Sequence, residues 1–417
     1  MNYDPAAQFG SVHDGTDYHF YGYQSTTIGY KGAVTVDLPH NMIAAGGDIS
    51  SSYLHSREYW YGAAKMPMTV GYNDAWDESD DRLLASAYVQ DDIHFWDDRV
   101  HITPGVKYIY AHTTDSDSLG FYYAAPGTVS ADEHFVSPTV GASVEFLPGA
   151  AAYASFGQNV KFPDISAFYN AFQQDANGNY VTVPVTVKPE YVNDYEAGLR
   201  YRLGGFLGSV NFYQENFENT FVTSTDPLSG LTKTGNAGAS RYRGVELQLN
   251  DDFGHVVLGD WNGYFNYAHN EAEYTATANL ADTGLGGTVT KGQNLTGVPH
   301  DLVTAGLVWN WDNWRVNADG QYVGTRYMAY GFAGTPAVAP DPTTLPSYFL
   351  VNLGIVKAVP VDFGGANAVK FSLNIDNLLD RHYYARGYVD FDNNGASYTR
   401  ALEGAGRAVY GSVSFYF

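Results

Sequence analysis

Residues Asp390-Phe391-Asp392-Asn393-Asn394-Gly395 place side-chain oxygens at alternate positions ahead of a glycine. Hard divalent cations such as calcium bind oxygen sets of this kind. A calcium loop that begins this way closes on a glutamate, and the position where it would fall is Ala401. Asp, Asn and Gly are also the residues of ordinary turns. Asp390, Asp392 and Asn394 therefore form an incomplete calcium candidate, and no other metal site is expected. The run Asp74, Asp77, Glu78, Asp80, Asp81 reads as a solvated loop rather than a cation site. The 12 histidines show no His-x-x-x-His spacing. There is no nucleophile elbow and no phosphate loop. No Ser, His and acid set can be assembled, so the chain is not expected to be an enzyme and no cofactor is expected. With no cysteine in 417 residues, disulfides and thiolate metal sites are excluded.

The elements that carry these residues follow from composition and pattern. Charged residues are 16% and aromatics 16%, with 35 Tyr, 23 Phe and 7 Trp. A soluble domain has about 25% charged residues. Disorder needs high charge and few aromatics. No run of about 18 apolar residues exists that could form a transmembrane helix. The net charge of −23 argues against a nucleic-acid partner. The first residues, Met1-Asn2-Tyr3-Asp4-Pro5, show no basic segment followed by an apolar one. The sequence therefore predicts that an export signal has been removed or that the natural start lies upstream.

Period-two alternation dominates. Val369, Phe371, Leu373 and Ile375 oppose Lys370, Ser372, Asn374 and Asp376. Tyr195, Ala197, Leu199 and Tyr201 oppose Glu196, Arg200 and Arg202. This is the signature of strands with one apolar and one polar face. A soluble sheet and a membrane barrel both produce it. Connection lengths separate the two. About 15 strands are expected, near 18–37, 41–60, 82–96, 100–112, 134–147, 150–162, 191–203, 206–224, 236–251, 256–274, 297–310, 314–328, 347–359, 368–384 and 407–417. Tight turns such as Pro148-Gly149 and Gly204-Gly205 alternate with long stretches such as 61–81, 163–190 and 385–406. That alternation is the pattern of an outer-membrane barrel, with Tyr and Trp near strand ends as interfacial girdles. The fold class is thus all-β, a transmembrane antiparallel barrel with 15–16 strands present.

The chain ends on Val409, Gly411, Val413, Phe415, Phe417 along one face of a strand. With Phe417 on the periplasmic side, the tight turns are periplasmic and the first of fifteen strands begins outside. A complete single-chain bacterial barrel has an even number. The sequence thus predicts either a strand within residues 3–16 or a chain that begins in mid-barrel, and the second reading is preferred.

Several segments resemble those of TonB-dependent outer-membrane receptors. They are Lys188-Pro189-Glu190 with Asp194-Tyr195-Glu196-Ala197-Gly198-Leu199-Arg200, and Asn236-Ala237-Gly238 running to Arg243-Gly244-Val245-Glu246-Leu247. Ser137-Pro138-Thr139-Val140-Gly141, continuing to Phe162-Pro163, is similar again. So are Tyr88-Val89-Gln90-Asp91-Asp92 and Asn374-Ile375-Asp376-Asn377-Leu378-Leu379-Asp380. Their order over residues 82–417 carries the resemblance. It implies a 22-stranded barrel filled by an N-terminal plug, of which residues 1–417 would be the C-terminal part without the plug. It also implies nutrient uptake, with ferric siderophores the commonest cargo, and a Gram-negative outer-membrane location. The implied partners are membrane lipid, a small ligand such as a ferric siderophore, the TonB complex once a plug is supplied, and the barrel-assembly machinery. That machinery would read Val413, Phe415 and Phe417. The alternatives are a plug-less passive, porin-like channel and a non-transporting barrel fragment. Aromatics in the outer loops are the ligand-binding candidates: Tyr72, Trp76, Tyr122, Tyr123, Tyr169, Phe172 and Tyr330, with Phe121, Phe168 and Tyr327 beside them. Each offers a broad ring, and the tyrosines and Trp76 add a polar edge.

Overall fold

The computed structural model describes residues 17–62, 74–118, 127–165, 167–168, 172–174, 177, 180–182, 184–225, 232–279, 288–330, 344–391 and 397–417. Among the described residues, fifteen long strands form one sheet. They are β1 Asp17–Leu38, β2 Asn41–Gly62, β3 Asp74–Phe95, β4 Val100–Asp117 and β5 Gly127–Leu147. Next come β6 Ala150–Lys161, β7 Glu190–Leu203, β8 Phe206–Glu218, β9 Ala239–His255 and β10 Asp260–Tyr274. The last are β11 Asp301–Trp311, β12 Trp314–Val323, β13 Tyr348–Phe363, β14 Ala366–Asp376 and β15 Ala408–Tyr416. Each pairs antiparallel with the next in strict chain order.

The seven tight connections 39–40, 96–99, 148–149, 204–205, 256–259, 312–313 and 364–365 gather at one end. Their backbone chemistry is specific. Trp96, Asp97 and Asp98 all take left-handed conformations. Gly149 has φ +77°, and a Cβ there would meet the Arg202 carbonyl oxygen at 2.2 Å, so only glycine fits. At the other end, shorter pairs branch from the wall: Phe172–Gln174 with Tyr180–Thr182, Phe221–Thr225 with Thr232–Asn236, and Arg326–Tyr327 with Thr344–Leu345. Ala329–Tyr330, Tyr384–Phe391 and Ser397–Glu403 form a further three-stranded sheet there.

Among the described residues, the apolar face is not packed against anything. Ile28 and Tyr30 are 74% and 76% exposed, and Leu199, Phe212, Phe371, Val413 and Phe415 stay about half exposed on the same face. Among the described residues the buried apolar set is mostly Ala and Val, with Phe162, Phe168 and Leu345 the only large members. A soluble sandwich would bury its large apolar side chains between two sheets. An apolar band that wraps every strand exceeds any patch a soluble monomer exposes. Hydrocarbon is the medium that satisfies it.

Both edges of this band are visible. At the tight-turn end Trp261, Trp309, Trp311 and Trp314 cluster, with Trp261 and Trp309 6.1 Å apart. Trp309 Nε1 donates to the Leu258 carbonyl oxygen at 2.6 Å. Such rings suit a boundary that is part apolar and part wet. At the long-loop end the outward face turns ionic. There Arg57 pairs with Asp77 and Arg243 with Glu271, while His112 and His269 hydrogen-bond Asp132 and Asp301. Charge pairs of this kind belong in water or headgroups, so the long strands project beyond the membrane.

This projection corrects the sequence reading of residues 74–81. They belong to β3 and are not a loop. β4 and β5 likewise extend to Asp117 and back to Gly127. Two expected strands, 206–224 and 314–328, instead break into a wall strand and a branching pair.

Candidate functional site

The long-loop end gathers the groups that could meet a ligand, and the sequence fixes it with polar latches. Asn236 donates from Nδ2 to the carbonyl oxygens of Lys188 at 3.0 Å and Asn219 at 2.8 Å. Its Oδ1 accepts from the Lys188 N–H at 2.9 Å. Asn219 in turn donates to the Pro189 carbonyl at 3.1 Å, and Glu190 accepts from the Phe221 N–H at 2.7 Å. Ala237 beside them is fully buried, and Gly238 takes φ +79°. Thus Lys188-Pro189-Glu190 and Asn236-Ala237-Gly238, far apart in sequence, form one knot joining the tops of β7, β8 and β9.

A second knot stands above β14. Asn377 is buried and left-handed, with φ 49°. Its Oδ1 accepts from the Arg381 N–H at 2.8 Å, and its Nδ2 donates to the carbonyls of Arg381 at 3.0 Å and Ala405 at 3.2 Å. Nearby, Asp380 accepts from the Arg407 N–H at 3.0 Å. That bond, reinforced by the Arg407 charge, holds the carboxyl below the usual range. Arg326 ties this loop to its neighbour, donating to the carbonyls of Tyr384 at 2.9 Å and Ala385 at 2.7 Å.

In the same loop His382 lies 2.8 Å from Glu403, and that hydrogen bond raises its pKa. A raised histidine adds stability that is complete below its unfolded pKa and lost as pH climbs through the folded one. Glu403→Gln is therefore expected to move the His382 midpoint down toward the ordinary histidine value in an NMR titration. An unmoved midpoint would show that the contact does not exist in solution.

The second face of the wall is polar and dominantly acidic toward this end. β7 presents Asp194 and Glu196, β8 Glu215 and β9 Glu246, with Glu215 opposite Asp194 in register. Basic groups Arg200, Arg202 and Arg315 lie nearer the tight turns. Further acids crowd the tops of β3 and β4. Asp80 stands opposite Asp115 and Glu78 opposite Asp117, all four buried. Ligand atoms of Glu78, Asp80 and Asp115 lie within 4.8 Å of one another. These groups sit beyond the hydrocarbon, because Ser79, Asp81, Thr114 and Ser116 back them on the opposite face. Burial, then the charges of Glu78 and Asp80, pushes Asp115 up to about 9. Burial, then Glu78, raises Asp80 to about 7.

This corrects the reading of the acidic run as a solvated loop. Asp77 and Asp81 do face outward, but Glu78 and Asp80 point the other way and are buried. The partners Asp115 and Asp117 escaped notice. Their signal was the alternation Thr113, Asp115, Asp117, which continues β4.

The aromatic candidates are only partly placed. Tyr72, Tyr122, Tyr123, Tyr169 and Phe121 lie outside the described residues, as do Asp392 and Asn394 of the calcium candidate. Trp76 has its backbone in β3 opposite Glu58, Phe172 pairs with Thr182, and Tyr330 pairs with Val389. Asp390 pairs with Tyr398 in an extended ladder. Phe168 is 1% exposed, so it serves loop packing and not ligand capture. Tyr327 meets His300 edge-on at 5.6 Å. Val413, Phe415 and Phe417 lie exposed along one face of the terminal segment.

Comparison with known proteins bears on this arrangement. A family model described as TonB dependent receptor-like, beta-barrel matches residues 2–378. The metal-pseudopaline receptor CntO of Pseudomonas aeruginosa is 28% identical over 240 residues, covering 54% of this chain and 29% of that receptor. The ferrioxamine B receptor of Salmonella typhimurium is 24% identical over 400 residues, covering 93% of this chain and 49% of its own length. The chain thus spans at most about half of these curated relatives. The unliganded ferric citrate transporter FecA superposes with a TM-score of 0.68 at 16% identity, over 96% of this chain and 56% of that one.

Proposed function

Because this chain belongs to the TonB-dependent receptor β-barrel family, whose members reside in the Gram-negative outer membrane, we propose that it serves uptake of a chelated metal. The chain supplies fifteen C-terminal strands of a receptor wall, and a ferric siderophore or similar chelate is the cargo. The observation that carries this reading is the latched long-loop end. Half-buried Asn236, with buried Asn377 and Arg326, holds separate loops in fixed relation. A passive channel needs no such framework. The named receptors it resembles take metal-pseudopaline and ferrioxamine B.

In this reading the outer-loop aromatics Tyr72, Trp76, Tyr122, Tyr123, Tyr169, Phe172 and Tyr330 contact the chelate. The acidic second face favours a neutral or cationic chelate over a polyanionic one. A plug domain, when present with the chain, is the part that meets the TonB complex. The exposed face of Val413, Phe415 and Phe417 serves the barrel-assembly machinery during insertion.

The test is ligand binding by the outer-membrane protein in detergent, followed through quenching of its tryptophan and tyrosine fluorescence. A hydroxamate ferric siderophore is expected to quench saturably. Replacing Tyr122 and Tyr123 together with alanine is expected to weaken binding by about 1–3 kcal/mol. An open conductance in planar bilayers, with no quenching by any ferric chelate tried, would establish a passive channel instead.

A further inference from the structure

We propose that the outer tips of β3 and β4 hold a resident divalent cation of calcium's size, bound by Glu78, Asp80 and Asp115. The register builds the site. Glu78 and Asp80 are two apart and share one face of β3. Asp115 and Asp117 share the facing side of β4, directly opposite them. Like charges placed directly opposite destabilise a sheet, yet four stand here together.

Burial makes the arrangement more demanding. Asp115 is 0% exposed and Asp80 8%. Outside the acidic cluster itself, neither carboxylate oxygen of Asp115 has a hydrogen-bond partner, and Oδ1 of Asp80 has none either. A buried charge left without a partner is strongly unfavourable. The basic residue on the same face, Arg82, is two positions further along and is faced by Glu133 and Asp164. Nothing basic offsets Asp115, since every charge acting on it comes from Glu78 or Asp80. Ser56 stands opposite Glu78 and Val129 opposite Asp115 on the neighbouring strands.

The chemistry selects the ion. The donor set is carboxylate oxygen alone, which suits a hard cation and not a thiolate- or imidazole-seeking metal. Calcium takes oxygens at about 2.3–2.6 Å, so donors on opposite sides of the ion lie about 4.8 Å apart. The three groups offer ligand atoms within 4.8 Å of one another. Magnesium holds oxygens closer and keeps several waters, and a site this buried has little room for them. The ion would pin the two strand tips together where they leave the membrane. Trp76 lies two residues from Glu78, and Tyr122 and Tyr123 lie just beyond Asp117.

Equilibrium dialysis of the detergent-solubilised protein, first stripped with EDTA, measures the binding. One calcium ion per chain is expected, with magnesium at least about tenfold weaker. Asp115→Asn and Glu78→Gln are each expected to weaken calcium by at least about tenfold. In EDTA, Asp115→Asn is expected to melt no lower than the parent protein, because it replaces a carboxyl whose ionisation is opposed by burial and by its acidic neighbours. Calcium should then raise the melting temperature of the parent and leave the variant unmoved. No stoichiometric calcium on the parent protein at millimolar concentration would overturn the proposal. So would undiminished binding by both variants, which would place the ion elsewhere. If Asp115→Asn fails to fold, the parent stoichiometry and Glu78→Gln decide between these outcomes.

Discussion

Leu199→Arg is expected to lower the unfolding free energy in phospholipid vesicles by about 2–4 kcal/mol. Gln248→Arg, at nearly the same depth, should change it by less than about 1 kcal/mol. Leu199 is the middle residue of an outward row that runs Tyr195, Ala197, Leu199, Tyr201, Leu203 and is half exposed. A guanidinium there must sit in hydrocarbon or drag headgroups and water to itself. Gln248 lies level with Arg200 through Ser209, on the polar face, next to Glu246 along its strand. An arginine there meets water and a carboxylate. Reversible urea unfolding, read by tryptophan fluorescence, separates the two. Equal losses at both positions would mean the two faces meet the same medium, and the membrane assignment would fall.

Asn377→Ala is expected to cost about 2–4 kcal/mol in the same assay. Three hydrogen bonds of its buried amide vanish, and the Arg381 N–H and the carbonyls of Arg381 and Ala405 lose that partner. Each such orphan costs about 1–3 kcal/mol where water cannot replace it. The left-handed backbone adds strain for a residue other than Asn or Gly. Asn377→Gly relieves the strain and keeps the hydrogen-bond loss, so it should recover less than half of the effect. Asn377→Asp keeps the acceptor for Arg381 and loses both donations. It is expected to fall between wild type and Ala. Full recovery by Gly would show that the backbone, and not the amide, is the function of this residue.

Much of the wall was legible because burial on one side forces period-two alternation. Val369 to Ile375 and Tyr195 to Tyr201 each have one apolar and one polar row, and both fall in wall strands. The tight turns were legible through residues such as Gly149 and Gly204, whose left-handed φ values favour glycine. The top of β3 was not legible. Above the membrane both faces meet polar surroundings, so Asp74 to Asp81 lose the alternation that marks a strand. The broken ends of β8 and β12 were hidden for the opposite reason. Phe221–Thr225 and Arg326–Tyr327 keep strand-like residues but pair outside the wall.

The motifs that resembled a receptor family were visible as residue strings, and their work was not. Asn236 and Lys188 are 48 residues apart, and nothing local says that one amide caps the other's backbone.

The amino-acid order by itself determined that this chain is a sheet with an oily side and a wet side, its strands joined alternately by short and long connections. That follows from local rules, since pleat and turn geometry act within a few residues. Only the tertiary structure decided which acids become neighbours. Asp80 and Asp115 meet because strand register, set by the whole β3–β4 ladder, brings them opposite each other. A shift of one residue would turn one of them outward and remove the cluster.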